Sequence, residues 1–153
     1  MQPIEVQEAL AAAVEEVLET MCFSAVFSSS ETAFPEQNDG CVLMAQLRFE
    51  GSPSGEFQLA IPMPPARTIG SGFLGKEEAE ISDEQTREVV CELANMFCGS
   101  VLSRLEAKTA FRLSHPELVS VPCGTPFDPP GIARWFELEA GSLAASVSFR
   151  QAL

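Results

Sequence analysis

Positive charge is scarce in this chain of 153 residues. Nine Lys and Arg stand against 22 Asp and Glu, for a net charge of −13 with His neutral. So acidic a surface excludes nucleic acid as a partner, because binding to phosphates needs cations that neutralise them. An anionic membrane surface is excluded on the same ground. Protein and small-molecule partners remain. Long apolar runs are missing too. The longest purely apolar stretch, 9–14, falls far short of the roughly 20 residues that span a bilayer. The opening Met1-Gln2-Pro3-Ile4-Glu5 has neither the basic start nor the apolar block of a signal peptide. The expected location is the cytoplasm.

Cysteine is present but unpatterned. Cys22, Cys41, Cys91, Cys98 and Cys123 make an odd count, with no C-x-x-C pair. Neither a disulfide framework nor a zinc site is suggested, and the expected role is that of small buried hydrophobes. Cys91 and Cys98 should share one helix face. The single histidine, His115, has no partner motif around it. P-loop, G-x-S-x-G, H-E-x-x-H and EF-hand patterns are all absent. Gly70-Ser71-Gly72-Phe73-Leu74-Gly75 does spell G-x-G-x-x-G. A dinucleotide site needs a strand before that motif and a helix opening on it. Prolines 62, 64 and 65 precede it instead, so a helix end and loop is the better reading, with a small-molecule loop as the competing one.

What is present describes one soluble domain, 1–153. Hydrophobic residues make up 46% and charged residues 20%, an ordinary globular balance. Over 4–21 the apolar positions Val6, Leu10, Ala13, Val14, Val17, Leu18 and Met21 recur at three and four, which predicts an amphipathic helix. A short strand is expected over 22–27. A turn is expected at Asn38-Asp39-Gly40. Runs 41–50 and 56–61 flank Gly51-Ser52-Pro53-Ser54-Gly55 as a hairpin, and Pro64 and Pro65 can open a short helix to about 73. Ser82-Asp83-Glu84-Gln85 is a capping-box pattern that starts a long helix ending near 107. Strand candidates follow at 109–113 and 118–121. A second hairpin over 133–140 and 143–150 turns at Gly141-Ser142, and its last strand alternates as if one face were buried. Helix, short strand, loop and hairpin thus occur twice. The fold class is α+β, an antiparallel sheet covered by helices with pseudo-duplicated topology. The final strand, if at an edge, offers a route to a homodimer.

The long helix carries the chemistry. Val89, Val90, Leu93, Ala94, Phe97, Val101 and Leu105 form one broad apolar arc. Glu88, Glu92, Asn95, Gly99, Ser103 and Glu106 form a narrow opposite stripe. Ser100 and Arg104 fall inside the apolar arc without explanation. Asn95 is a weak helix former in mid-helix, and Gly99 costs about 0.8–1 kcal/mol against alanine there. Glycine removes side-chain bulk and admits a close neighbour. A carboxylate and an amide beside such a notch make a surface for docking and chemistry.

At Glu92-Leu93-Ala94-Asn95-Met96, followed by Gly99, the chain resembles the CheX family of chemotaxis phosphatases and its CheC and FliY relatives. These share an E-x-x-N motif on a long helix, usually with Asp or Ser four residues before the Glu and a proline downstream. Glu88 holds the upstream position here, and Pro116 is the matching proline. The first helix has no E-x-x-N, so a second site of the CheC kind is absent. The order of elements fits from about 4 to 150. The resemblance implies a CheC-like fold and a phosphatase for the aspartyl-phosphate of a CheY-type response regulator. Asn95 would orient the attacking water and Glu92 would pair with a lysine of the partner. Glu88, Gly99 and Pro116 would contribute to partner binding. No metal or other cofactor is expected in this chain, since Mg²⁺ would sit in the phosphorylated receiver domain. CheX relatives dimerise through sheet edges. The alternative is a receiver-binding or scaffold domain of the same fold that does not catalyse.

Overall fold

The computed structural model describes residues 2–32 and 41–150. Helix α1 (Pro3–Met21) is followed by β1 (Val26–Ser30), β2 (Val42–Glu50), β3 (Gly55–Pro62), α2 (Met63–Leu74) and α3 (Asp83–Leu105). Strands β4 (Arg112–Leu113), β5 (Glu117–Val119), β6 (Ile132–Leu138) and β7 (Gly141–Phe149) complete the chain. The strands form one antiparallel 7-stranded sheet in the order β1-β6-β7-β3-β2-β4, with β5 also paired to β2. This is the expected α+β arrangement, an antiparallel sheet with helices packed on it. No helix among the described residues is long and apolar enough to cross a membrane.

Helices α1 and α3 pack on each other and on one face of the sheet. Helix α1 lies toward β6 and β1, and α3 toward β2 and β3. The core between them is built by period. Leu10 and Leu18 from α1 and Leu93 and Phe97 from α3 are buried, and they meet Leu47, Phe49, Phe57, Leu59 and Phe136 from alternate strand positions. Burying each such side chain is worth about 1.5–3 kcal/mol. Ser82 caps α3 as its sequence predicts: its Oγ accepts the Gln85 amide at 3.0 Å, and Gln85 Oε1 accepts the Ser82 amide at 3.0 Å. The same arrangement explains Arg104. It ion-pairs with Glu16 of α1 and donates to Ser100 Oγ at 3.4 Å, so the two polar residues of the apolar arc work at the helix–helix seam.

Several expectations are corrected. The segment 22–27 is not a strand at its start. Cys22 is buried as the C-cap of α1, Phe23 adopts φ 56, and β1 begins only at Val26. The long helix ends at Leu105, and the strand expected over 109–113 contracts to Arg112–Leu113. The last hairpin turns at Glu139-Ala140, because Leu138 already pairs with Gly141. Strand β7 is interior, between β6 and β3, so it cannot serve as the dimerising edge; the edges are β1 and the β4/β5 side. The turn expected at Asn38-Asp39-Gly40 lies outside the described residues.

Both faces of β7 are buried in its middle, against the one-sided pattern: Ala144 and Ser146 are covered as well as Leu143, Ala145 and Val147. That second face is where residues 120–131 pass. They leave β5 on the β2 edge and return to β6 on the far side of β3 and β7. Phe127 stacks edge-on against Trp135, centroids 6.2 Å apart, and Trp135 alternates with core Phe136, so it points to the helix-free face. Pro122, Pro126, Pro129 and Pro130 suit a strap that joins no ladder, since proline offers no N–H to one. The cysteine expectation fails for two of five. Cys41 and Cys123 are exposed and bonded to each other, Cα atoms 4.4 Å apart, while Cys22 and Cys98 are buried and Cys91 half-buried. Their 82-residue separation carries no local spacing signal.

Candidate active site

Packing of one side of α3 decides what its other side shows. Val89, Val90, Leu93, Ala94, Phe97 and Val101 are buried, which rotates Glu88, Glu92 and Asn95 into solvent. Glu92 and Asn95 stand at i and i+3, so they project from neighbouring turns of one face. Among the described residues the ion pairs are Arg67–Asp83 and Arg104–Glu16. Neither Glu88 nor Glu92 joins an ion pair among the described residues. Their field reaches Cys91, whose thiol is pushed up by burial first and then by Glu92 and Glu88.

Gly99 gives the sharpest observation. A methyl group placed on it would meet nothing within 4 Å. No packing among the described residues requires a glycine there. Other glycines do have internal reasons. A side chain at Gly72 would collide with the backbone carbonyl of Cys22, and one at Gly131 with that of Val147. Gly75 ends α2 in the left-handed region at φ 66, where glycine is favoured. Gly70 to Gly75 is thus the end of a packed helix, which removes the small-molecule loop reading.

Pro116 is half-buried on a different element, the link between β4 and β5. The proline precedes strand β5, which packs against α3. The exposed ridge is open. A groove of about 590 Å³ runs where α1 meets the end of α3, lined by Glu5, Glu8, Ala9, Ala12, Arg104 and Leu105, and it includes neither Glu92 nor Asn95. Among the described residues no cluster of His, Cys, Asp or Glu is placed to hold a metal ion. An amide and a carboxylate on an open ridge suit insertion into a cavity supplied by another molecule.

Residues 43–122, just over half of the chain, match the family model described as chemotaxis phosphatase CheX. No curated protein sequence matches. Solved structures similar to this chain include the chemotaxis protein CheX of Vibrio vulnificus, at TM-score 0.75 and 20% identity over 98% of this chain and 99% of that one. A CheC-like superfamily protein from Shewanella sp. PV-4 aligns at TM-score 0.73 and 18% identity, covering 99% and 100%. A CheX in complex with CheY, BeF3 and Mg²⁺ from Borrelia burgdorferi aligns at TM-score 0.68 and 18% identity, covering 95% and 97%.

Proposed function

The chain belongs to the CheX family of chemotaxis phosphatases, and from that premise we propose that it hydrolyses the aspartyl-phosphate of a CheY-type receiver domain. The observation that carries the reading is the solvent-facing Glu92/Asn95 pair beside Gly99, whose missing side chain nothing among the described residues explains. The Borrelia relative is held with CheY, BeF3 and Mg²⁺, which supports the same class of partner here. Mg²⁺ belongs on the partner's side of such a complex, and no step is routed through it.

The chemistry asks little of the catalyst. An acyl phosphate is a mixed anhydride, already activated toward water. Water attacks phosphorus in line, the bond from phosphorus to the aspartyl oxygen breaks, and the products are a carboxylate and inorganic phosphate. The catalyst positions water and carries little charge at the reacting centre. The Asn95 amide has both parts needed: its oxygen accepts from the water and its NH₂ donates to a phosphoryl oxygen. Glu92, one turn earlier, offers a negative charge to a lysine of the receiver and fixes the register of docking. Gly99, one turn later, lets the partner's surface approach the helix backbone.

The test is loss of radiolabelled phosphate from a phosphorylated CheY-type receiver with Mg²⁺, with and without this protein. Acceleration is expected, and Asn95→Ala should abolish it while leaving the fold and most binding intact. Wild-type turnover in Asn95→Ala would refute the mechanism. Binding without acceleration by the wild-type chain would favour a non-catalytic scaffold.

A further inference from the structure

We infer that Cys41 and Cys123 form a reversible thiol–disulfide latch, a modification site for cellular dithiols and small-molecule disulfides that fastens the proline-rich strap to the sheet edge. Cys41 stands immediately before β2, and Cys123 lies just beyond β5. Strand β5 itself is held by three residue pairs with β2: Met44 with Val119, Ala45 with Leu118 and Gln46 with Glu117. Beyond them the strap makes little backbone structure of its own. Among the described residues Thr125 donates to the Pro122 carbonyl at 3.1 Å, and the next tether is Phe127 on Trp135. The covalent bond is thus the fastening at the strap's near end.

Both bonded cysteines are exposed, so an external thiolate can reach the sulfurs without unfolding the core. Of the other three, two offer no competing thiol at the surface and the third is only partly exposed. Cys22 is 2% and Cys98 1% exposed, and Cys91 is half-buried among carboxylates. Exchange is therefore directed to one pair. A dithiol opens it in two steps. Its thiolate attacks one sulfur, forms a mixed disulfide and releases the other cysteine as a thiolate. The second thiol then displaces the first cysteine and closes the reductant's own disulfide. Two electrons pass to the cystine, and the two protons lost by the dithiol end on Cys41 and Cys123. Glutathione disulfide runs the exchange in reverse, leaving two molecules of glutathione. Opening frees residues 120–126 and loosens the hold on β5, whose N-terminal neighbour is Pro116.

The experiment uses the full chain, folded and without denaturant. It is treated with dithiothreitol, or with thioredoxin and its reductase, then alkylated and mapped by mass spectrometry, with hydrogen exchange read in parallel. Before treatment the peptides of Cys41 and Cys123 should be linked. After it both should be alkylated, with Cys22 and Cys98 protected. Exchange should rise over 117–126 and stay unchanged in α3 and β7. Glutathione disulfide should restore both the link and the protection. Cys123→Ser should show the open pattern without reagent and no further change with it. The proposal is overturned by a bond that resists dithiols in the folded chain, by all five cysteines alkylating in aerobically purified protein, or by exchange that rises across the whole sheet. None of these readouts depends on phosphatase activity.

Discussion

Replacing Gly99 with alanine should strengthen the free protein and weaken its work. Glycine in a helix interior costs about 0.8–1 kcal/mol relative to alanine, because more backbone freedom is lost on folding. The gain from Gly99→Ala is realised only if the new methyl fits, and here it meets nothing within 4 Å. No overpacking term subtracts from it, and little new apolar area is buried. The expected stabilisation is the full propensity difference, about 1 kcal/mol, or about 2–4 °C in Tm for a domain of this size. Urea unfolding should show a higher midpoint at unchanged m-value. Gly72→Ala supplies the contrast, since its methyl would overlap the Cys22 carbonyl and should destabilise by about 1–3 kcal/mol. Paired with stability is receiver dephosphorylation, which should slow in Gly99→Ala. A destabilised Gly99→Ala would refute the claim that nothing among the described residues needs the glycine. A stabilised variant with unchanged dephosphorylation would refute the claim that the partner uses the notch.

Other substitutions test separate links. Ser82→Ala removes one arm of the α3 capping box and should cost about 1 kcal/mol in urea unfolding; no loss would mean that Gln85 or water satisfies the helix end alone. Phe23 is 82% exposed at φ 56, a left-handed backbone that costs an L side chain roughly 1–2 kcal/mol. Phe23→Gly should therefore raise stability by about 1 kcal/mol, and a fall would reveal that the ring contributes packing. Burial pushes the thiols of Cys22 and Cys98 up to about 12 from 9.0. Above about pH 9 the unfolded chain releases these protons and the folded chain keeps them, so their contribution to stability declines from pH 9 toward 12. Urea midpoints measured across that range should fall less steeply in Cys98→Ala than in wild type, and equal slopes would sink the assignment.

Local signals were legible where one element decides its own form. Ser82 and Gln85 announced the start of α3. The spacing of Val89 through Val101 announced which side would bury, and therefore that Glu88, Glu92 and Asn95 would face out. The hairpin of β2 and β3 followed from the Gly51–Gly55 segment. Long-range decisions were not legible. Alternation in β7 implied one buried face, but burial of the other depends on the neighbouring strands β6 and β3, which its own pattern does not encode. Arg104 looked misplaced on a single helical wheel because its partner, Glu16, lies on another helix. Cys41 and Cys123 had no motif because only the return of β5 to β2 brings them together. A buried cap at Cys22 followed by an exposed Phe23 mimics the alternation of a strand. At the candidate site the sequence supplied residue types and their face. That Gly99 has open space above it came only with three dimensions.

The placement of β7 between β6 and β3 has a consequence for synthesis. Among the described residues strand β1 pairs with β6, made much later in the chain, and Arg134 of β6 also donates a side-chain hydrogen bond to Ser29 Oγ across 105 residues. Strand β3 likewise waits for β7. Strands β1, β2 and β3 thus each hold an unpaired edge in the nascent chain until β6, then β4 and β5, and β7 respectively have been made. Non-local pairing of this kind makes folding slow and leaves intermediates prone to aggregation. The uncharged Val26–Ser30 strand carries no Lys or Pro to discourage mispairing meanwhile. Yield during expression should thus depend on translation speed and on chaperones that shield β1.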